Sequence, residues 1–296
     1  MAESQPKTPA IAERGIIVRG ARVATAMGGA SRELLARAPL VVLPEAGYVW
    51  RDYASIMERF ATERRVFALD WPGFGESEPP ADGDAAYAML ALSAFLGEWL
   101  TGIGVARCVI AANGLAAAVA LRFAIEHPGR VAGLALIAPA GFSTAGRARS
   151  LITQLASKPW ITRRFGTGLS SLALGPETPA GRAILERQRT QRTTPAYSGY
   201  MTALSAFWRT FDQSDAALAE GAASIQVPAV VVRGALDPII TEADAHRAAQ
   251  SIGTRGALEI VLPGAGHLPF LQQPDRVLQA IAGVLETAEL GAASRD

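Results

Sequence analysis

The run Cys108-Val109-Ile110-Ala111-Ala112-Asn113-Gly114-Leu115-Ala116-Ala117-Ala118-Val119-Ala120-Leu121 constrains the fold more than any other stretch of the chain. Its first part is an unbroken apolar strand-former, and its last part is an alanine- and leucine-rich helix-former. Only Asn113-Gly114 separates them. A strand apolar on both faces belongs inside a sheet covered on both sides, and a helix that starts without a loop must pack straight back onto that sheet.

Other short apolar runs repeat the theme. Strands are expected at Gly15–Val18, Arg22–Thr25, Leu40–Leu43, Val66–Leu69, Arg107–Ala111, Val131–Ile137, Ala229–Arg233 and Leu258–Leu262. Helices are expected at Trp50–Ala61, Tyr87–Thr101, Leu115–Glu126, Glu242–Ser251 and Pro274–Thr287, the last opening on a proline suited to a first turn. Alternation of strand and helix predicts an α/β fold: a doubly wound, mostly parallel eight-stranded sheet, with its site at the strands' carboxyl ends.

Four motifs then carry a resemblance. Arg65 to Ser77 reads RVFALDWPGFGES, a strand followed by a glycine-rich turn; Leu121 to Pro139 reads LRFAIEHPGRVAGLALIAP; Val231 to Pro238 reads VVRGALDP; Gly264 to Pro269 reads GAGHLP. With the strand-to-helix junction at 112–116, and in this order, they resemble the α/β-hydrolase superfamily from about residue 15 to about 287, in its capped branch with epoxide hydrolases and dehalogenases. The resemblance implies that Asp237 is the acid and His267 the histidine of a catalytic triad. It also implies that the amides of Ala46 and Leu115 form the oxyanion hole.

Two positions depart from the family pattern. The serine of G-x-S-x-G is replaced by Gly114, so the elbow is degenerate and carries no nucleophile. After Leu40–Leu43, where the family has His-Gly, this chain has Pro44-Glu45. No substitute nucleophile is evident. Cys108, the only cysteine, lies six residues upstream, about 20 Å along an extended strand, and Ser77 and Ser93 fall outside the family's nucleophile position. Ordinary acyl-enzyme hydrolysis is therefore not expected. An imidazole polarised by a carboxylate is still a general base without serine. Glu45 has two readings: pointing inward as an acid–base partner of His267, or turned outward or capping a helix amino terminus. Asn113 is expected to bond to local backbone, and His127 and His246 to be structural or solvated.

Between the sixth and seventh strands lies a segment without strand alternation, broken by Pro159, Gly175-Pro176, Pro179 and Pro195. The expected organisation is a flexible amino terminus (1–13), a core (14–141 and 227–288), a helical cap (142–226) and a flexible carboxyl terminus (289–296). From Gly141 to Arg209 ten Lys/Arg face two Glu, a net of +8, while the remainder carries 18 against 25, a net of −7. Arg182, Arg187, Arg189 and Arg192 read either as a clamp for an anionic substrate or as a helix face that meets the acidic core. The aromatics Trp160, Phe165, Tyr197, Tyr200, Phe207, Trp208 and Phe211 suit a helical core, and Tyr197, Tyr200, Leu204 and Trp208 mark one helix face.

At 296 residues, 50% of them hydrophobic, the chain is long enough for one large domain with an insertion. A net charge of +1 speaks against nucleic-acid binding. A single cysteine, a polar amino terminus and the lack of any run of roughly 18 apolar residues imply a cytoplasmic protein without a transmembrane segment. No metal-ligand spacing or dinucleotide fingerprint implies a cofactor or a metal.

Three functions follow from these residues. The first is an enzyme acting on a small, largely apolar molecule, neutral or anionic, by non-covalent acid/base chemistry of His267 and Asp237, with Glu45: elimination, cyclisation, C–C cleavage or water addition. The second is a non-catalytic pseudo-hydrolase that binds a ligand or partner. The third is a weak hydrolase in which His267 activates water directly.

Overall fold

The computed structural model describes residues 10–29, 37–143, 158, 160, 170–210 and 215–293. Eight strands form one sheet: β1 (Ala12–Val18), β2 (Ala21–Gly28), β3 (Leu40–Leu43), β4 (Val66–Leu69), β5 (Cys108–Asn113), β6 (Val131–Ile137), β7 (Ala229–Gly234) and β8 (Leu258–Leu262). Their spatial order is β1-β2-β4-β3-β5-β6-β7-β8. The pairs β1/β2 and β2/β4 are antiparallel, and the rest of the sheet is parallel.

Parallel strands need crossovers, and helices supply them: α1 (Ala54–Ala61), α2 (Met89–Gly102), α3 (Gly114–Glu126), α4 (Pro179–Gln191), α5 (Tyr197–Thr210), α6 (Asp215–Ala222) and α7 (Glu242–Ser251); α8 (Pro274–Ala293) follows the last strand. The twofold period of a strand sends alternate side chains to two separate cores. Cys108, Ile110 and Ala112 join one with Val41 and Leu43; Val109 and Ala111 join the other with Leu40 and Val42. That two-sided burial explains why these strands lack polar alternation.

Three expectations are corrected at the ends of elements. Residues 12 and 13, assigned to a flexible terminus, open β1, where the side chain of Glu13 accepts the indole N–H of Trp50 at 2.7 Å; residues 1–9 of that segment lie outside the described residues. The last helix runs on to Ala293, so residues 289–293 are helical rather than a tail. The helix expected from Trp50 begins as a 3-10 turn over Trp50–Tyr53 before α1.

The insertion between β6 and β7 is helical where it is described, in α4, α5 and α6. Pro179 starts α4 at a first-turn position, and Thr178 caps it by accepting the Gly181 amide. On α5, Tyr197, Tyr200 and Leu204 are buried as their spacing predicts. Trp160, expected in a helical core, is instead 66% exposed, while Phe165 and Phe211 lie outside the described residues, as does Pro159.

Parallel register brings the ends of β3, β5, β7 and β8 to one edge of the sheet. Leu43 pairs with Ala112, Asn113 with Ile137, Ile137 with Val232, and Gly234 with Leu262. Glu45, Gly114, Asp237 and His267 follow those four ends within a few residues. Among the described residues no helix is long and apolar enough to cross a membrane.

Candidate active site

Gly114 is the first residue of α3 and has a φ of +56°, a left-handed turn that lets β5 run into the helix without a loop. The space where its side chain would stand is taken. A Cβ placed on Gly114 would lie 1.2 Å from Glu45 Oε2 and 3.1 Å from His267 Nε2. The carboxylate of Glu45 thus occupies the position a nucleophile would hold, reached from a different strand.

Both oxygens of that carboxylate are fixed by N–H donors. The Ala46 amide donates to Oε1 at 2.6 Å, and the Leu115 amide donates to Oε2 at 2.9 Å. These are the two backbone donors that the sequence assigns to an oxyanion hole. Oε2 also faces His267 Nε2 at 3.3 Å. The two readings of Glu45 therefore meet: it points inward, and it also caps the amino terminus of α3 through Leu115, where the helix dipole favours negative charge.

His267 Nδ1 lies 2.8 Å from Asp237 Oδ2, and Asp237 Oδ1 accepts the amides of Ile239 at 2.8 Å and Ile240 at 3.1 Å. Burial alone would favour neutral forms of both groups, but their mutual charge and hydrogen bond win. The carboxyl of Asp237 is held below its ordinary value, and the His267 imidazole, with Asp237 on one nitrogen and Glu45 on the other, is pushed up to about 10. At neutral pH His267 is therefore an imidazolium between two carboxylates: a proton donor at rest, where the sequence suggests a base. Glu45 and His267 are both buried, at 6% and 2% exposure, so this charge row is screened little by solvent.

A tyrosine that no motif marks holds the arrangement in place. The Tyr53 hydroxyl accepts the Glu45 amide at 3.1 Å and donates to Asn113 Oδ1 at 2.9 Å. Asn113 in turn donates through Nδ2 to the carbonyls of Ile137 at 3.1 Å and His267 at 3.4 Å. Asn113 bonds to backbone, but not to the local backbone expected: the carbonyls lie on β6 and the histidine loop. Asp70, at the end of β4, accepts the amides of Trp50 and Glu76, and burial raises it to about 6. Tyr53 has no sequence signal, while Asp70 stands in the glycine-rich turn motif after β4.

The remaining candidates have structural surroundings. Cys108 opens β5, fully buried, with its thiol pushed up to about 12 by burial. Ser77 donates to the Asp70 carbonyl and accepts the Ala24 amide, and Ser93 bonds Glu126. His127 is exposed beside Phe123, and His246 is exposed between Glu259 and Gln250. Of the insertion's arginines, Arg187 pairs with Asp52 of the core at 2.6 Å, while Arg182 and Arg189 are exposed beside Glu177 and Glu186. Arg209 reaches Asp84. Both Arg187 and Arg209 thus carry the basic insertion onto the acidic core. Among the described residues no group of three His, Cys, Asp or Glu side chains is placed to hold a metal ion.

With this geometry in view, a family model described as the alpha/beta hydrolase family matches residues 31–280. The chain belongs to the α/β-hydrolase family. Among family relatives, the 2-hydroxymuconate semialdehyde hydrolase of Pseudomonas sp. (strain CF600) is 33% identical over 108 residues, 36% of this chain and 38% of the relative. The mouse 1-acylglycerol-3-phosphate O-acyltransferase ABHD5 is 30% identical over 127 residues, 43% of this chain and 36% of that protein, so the match spans little more than a third of it. Among solved structures, a putative lipase from Acinetobacter baumannii superposes with a TM-score of 0.77 at 19% identity, covering 95% of this chain and 93% of that one. A haloalkane dehalogenase loop variant from Bradyrhizobium elkanii gives 0.75 at 18% identity, covering 97% and 100%. At such identities the likeness is one of fold.

Proposed function

We propose that this α/β-hydrolase-fold protein is an enzyme that moves protons on a small, largely apolar molecule without forming a covalent intermediate. Glu45 is its base, the imidazolium of His267 its acid, and Asp237 the group that keeps His267 charged. The observation that carries this reading is the carboxylate of Glu45 at the nucleophile's position, bridged to both amides and to Nε2. A resident negative charge between the Ala46 and Leu115 amides opposes an oxyanion forming there, which argues against activated-water hydrolysis of esters.

The pair divides the work by charge. Glu45 Oε2 takes a proton from carbon or oxygen of the substrate, and His267 Nε2 gives its proton to an oxygen on which negative charge develops. Afterwards the proton on Oε2 returns to Nε2 across their 3.3 Å contact and restores the starting state. Elimination, cyclisation, C–C cleavage and water addition all fit that cycle. In the same reading, residues 142–226 act as a cap, with the hydroxyl of Tyr200 on α5 donating to the Gly47 carbonyl at 3.1 Å beside the site.

The test is proton exchange. Phenylacetone, whose α-protons are acidified by a carbonyl and a ring, is incubated with the protein in D2O and followed by NMR. Exchange that is lost in Glu45→Gln and in His267→Ala supports the reading. Equal exchange in all three proteins overturns it, and binding of the ketone with no exchange by the wild type replaces it with the binding-protein reading.

A further inference from the structure

The phenol of Tyr48 plays no part in the acid–base pair, yet it stands beside it. Tyr48 lies three residues after Glu45 in a turn closed by its amide on the Glu45 carbonyl at 3.0 Å. The charges of Glu45, Asp52 and Arg187 all bear on its hydroxyl, as does the phenol of Tyr200. The side chain is 6% exposed, and its hydroxyl makes no hydrogen bond among the described residues.

The link to α4 is Arg187, whose charge bears on that hydroxyl. Ile184 packs in the same core cluster as Tyr48 and Trp50. One turn further along the helix, Arg187 Nε and Gln188 Oε1 are buried with no hydrogen-bond partner, and Gln191 Oε1 follows one turn later. Gln188 is 7% exposed. Buried polar groups are normally satisfied, because an unmade hydrogen bond costs about 1–3 kcal/mol. Spare donors and acceptors gathered on that helix make a face suited to a polar group that arrives with a ligand.

The charge of that group follows from its neighbours. Glu45, Asp52 and Asp237 are three carboxylates, while His267 and Arg187 are two cations already paired with them. Arg187, whose charge bears on the Tyr48 hydroxyl, is committed to Asp52, and Glu45 repels an incoming anion. Arg187 and Arg209 spend their charge on the core, and Arg182 and Arg189 stand on exposed faces.

We propose that Tyr48 is a substrate-orienting residue, and that with the α4 face it takes an uncharged hydrogen-bonding group, a hydroxyl or a carboxamide, in preference to an anion. This rests on the acid–base reading for what the bound group is turned toward. Tyr48 donates to the oxygen of that group, and Gln188 Oε1 accepts its N–H or O–H. The apolar body of the substrate is left to lie toward Glu45 and His267.

Four probes that share one body test it: 3-phenylpropanamide, 3-phenylpropan-1-ol, 3-phenylpropanoate and propylbenzene, titrated at pH 7 against the whole protein by ligand-observed NMR. The amide and alcohol are expected to bind at least about tenfold more tightly than the carboxylate. Tyr48→Phe is expected to weaken the amide about fivefold, one neutral hydrogen bond, and to leave propylbenzene unchanged. That variant deletes an oxygen without a partner, so its melting temperature should stay at the wild-type value. A carboxylate that binds tightest, a loss shared equally by amide and hydrocarbon, or no binding by any probe overturns the proposal. The readout is affinity, not turnover. Retained probe discrimination with no deuterium exchange in phenylacetone would therefore leave the subsite standing and remove the acid–base reading alone.

Discussion

Each oxygen of the Glu45 carboxylate has a donor, whereas on the α4 face several buried polar atoms have no partner. The partnered set stands on strand ends and a helix amino terminus, elements held by the parallel ladder. The unpartnered set stands on a helix of the insertion. The difference separates two tasks. Fixed charges need preorganised dipoles so that nothing rearranges when a proton moves, while a binding face needs hydrogen-bonding capacity left over for the ligand.

The sharpest way to break the lower half is to restore what the family carries. Gly114→Ser drives a Cβ to within 1.2 Å of Glu45 Oε2, so one of the two must move. Overpacking with left-handed strain is expected to cost about 3 kcal/mol, seen as a lowered midpoint in urea. Glu45→Gly in the same chain opens the space, so the double variant should regain most of that loss. Because the new side chain then lies beside His267 Nε2 with both amides free, it should also hydrolyse 4-nitrophenyl acetate, which neither single variant does. Additive losses in the double variant, and no esterase activity, would show that Gly114 and Glu45 are two independent changes rather than one.

That coupling also marks the limit of what the sequence reveals. The strands β3, β4, β6 and β8 could be read residue for residue; the apolar runs of the first three are the product of burial on both faces, while β8 is a partly exposed edge strand. The Asp237 and His267 loops were legible through their motifs. Glu45 and Gly114 were visible as two departures, but that one fills the space left by the other is a fact of three dimensions, between residues on different strands. Tyr53 was not legible at all, and Asp70 was visible only as the aspartate of the turn motif after β4, without its role. A hydroxyl bridging Asn113 to the Glu45 amide has no local pattern, and nothing in the sequence says that the arginine of α4 meets Asp52.

Glu45→Gln is a smaller insult to the same half. Its amide nitrogen must face the Ala46 or Leu115 N–H or the imidazole, donor against donor, and His267 loses one of its two carboxylates. About 2 kcal/mol of stability should go at pH 7. The pH profile gives the sign. His267 is raised above its unfolded value near 6.5, so its contribution is complete below that pH and is lost as pH climbs through about 10. Asp237 is lowered, so its contribution holds above the ordinary carboxylate range and disappears as pH falls through its depressed value. Urea midpoints between pH 6 and pH 10.5 should fall in the wild type and fall less in Glu45→Gln; parallel curves would mean that Glu45 does not help hold the proton on His267.

Tyr53→Phe tests the link rather than the charges. It removes one hydroxyl that satisfies the Glu45 amide and Asn113 Oδ1 together, and should cost about 1 kcal/mol. Because the loop carrying Glu45 is then held less firmly, exchange on phenylacetone should slow more than binding weakens. A loss in affinity equal to the loss in rate would place Tyr53 with the binding face instead.

The smallest effect is expected at the rim of the insertion, and its smallness is informative. Arg209 and Asp84 form an ion pair whose side chains are 43% and 59% exposed, whereas Arg187 covers an Asp52 side chain only 6% exposed. An exposed pair gives up side-chain entropy for a screened attraction, so Arg209→Met should shift stability by no more than about 0.5 kcal/mol and leave probe affinities unaltered. Arg187→Met strands a buried carboxylate beside Tyr48 and should weaken the amide probe as well as the fold. If Arg209→Met proved the more damaging of the two, the basic insertion would be held to the acidic core by its rim. The unpartnered atoms of α4 would then lose their standing as a face that the fold keeps in register with Glu45.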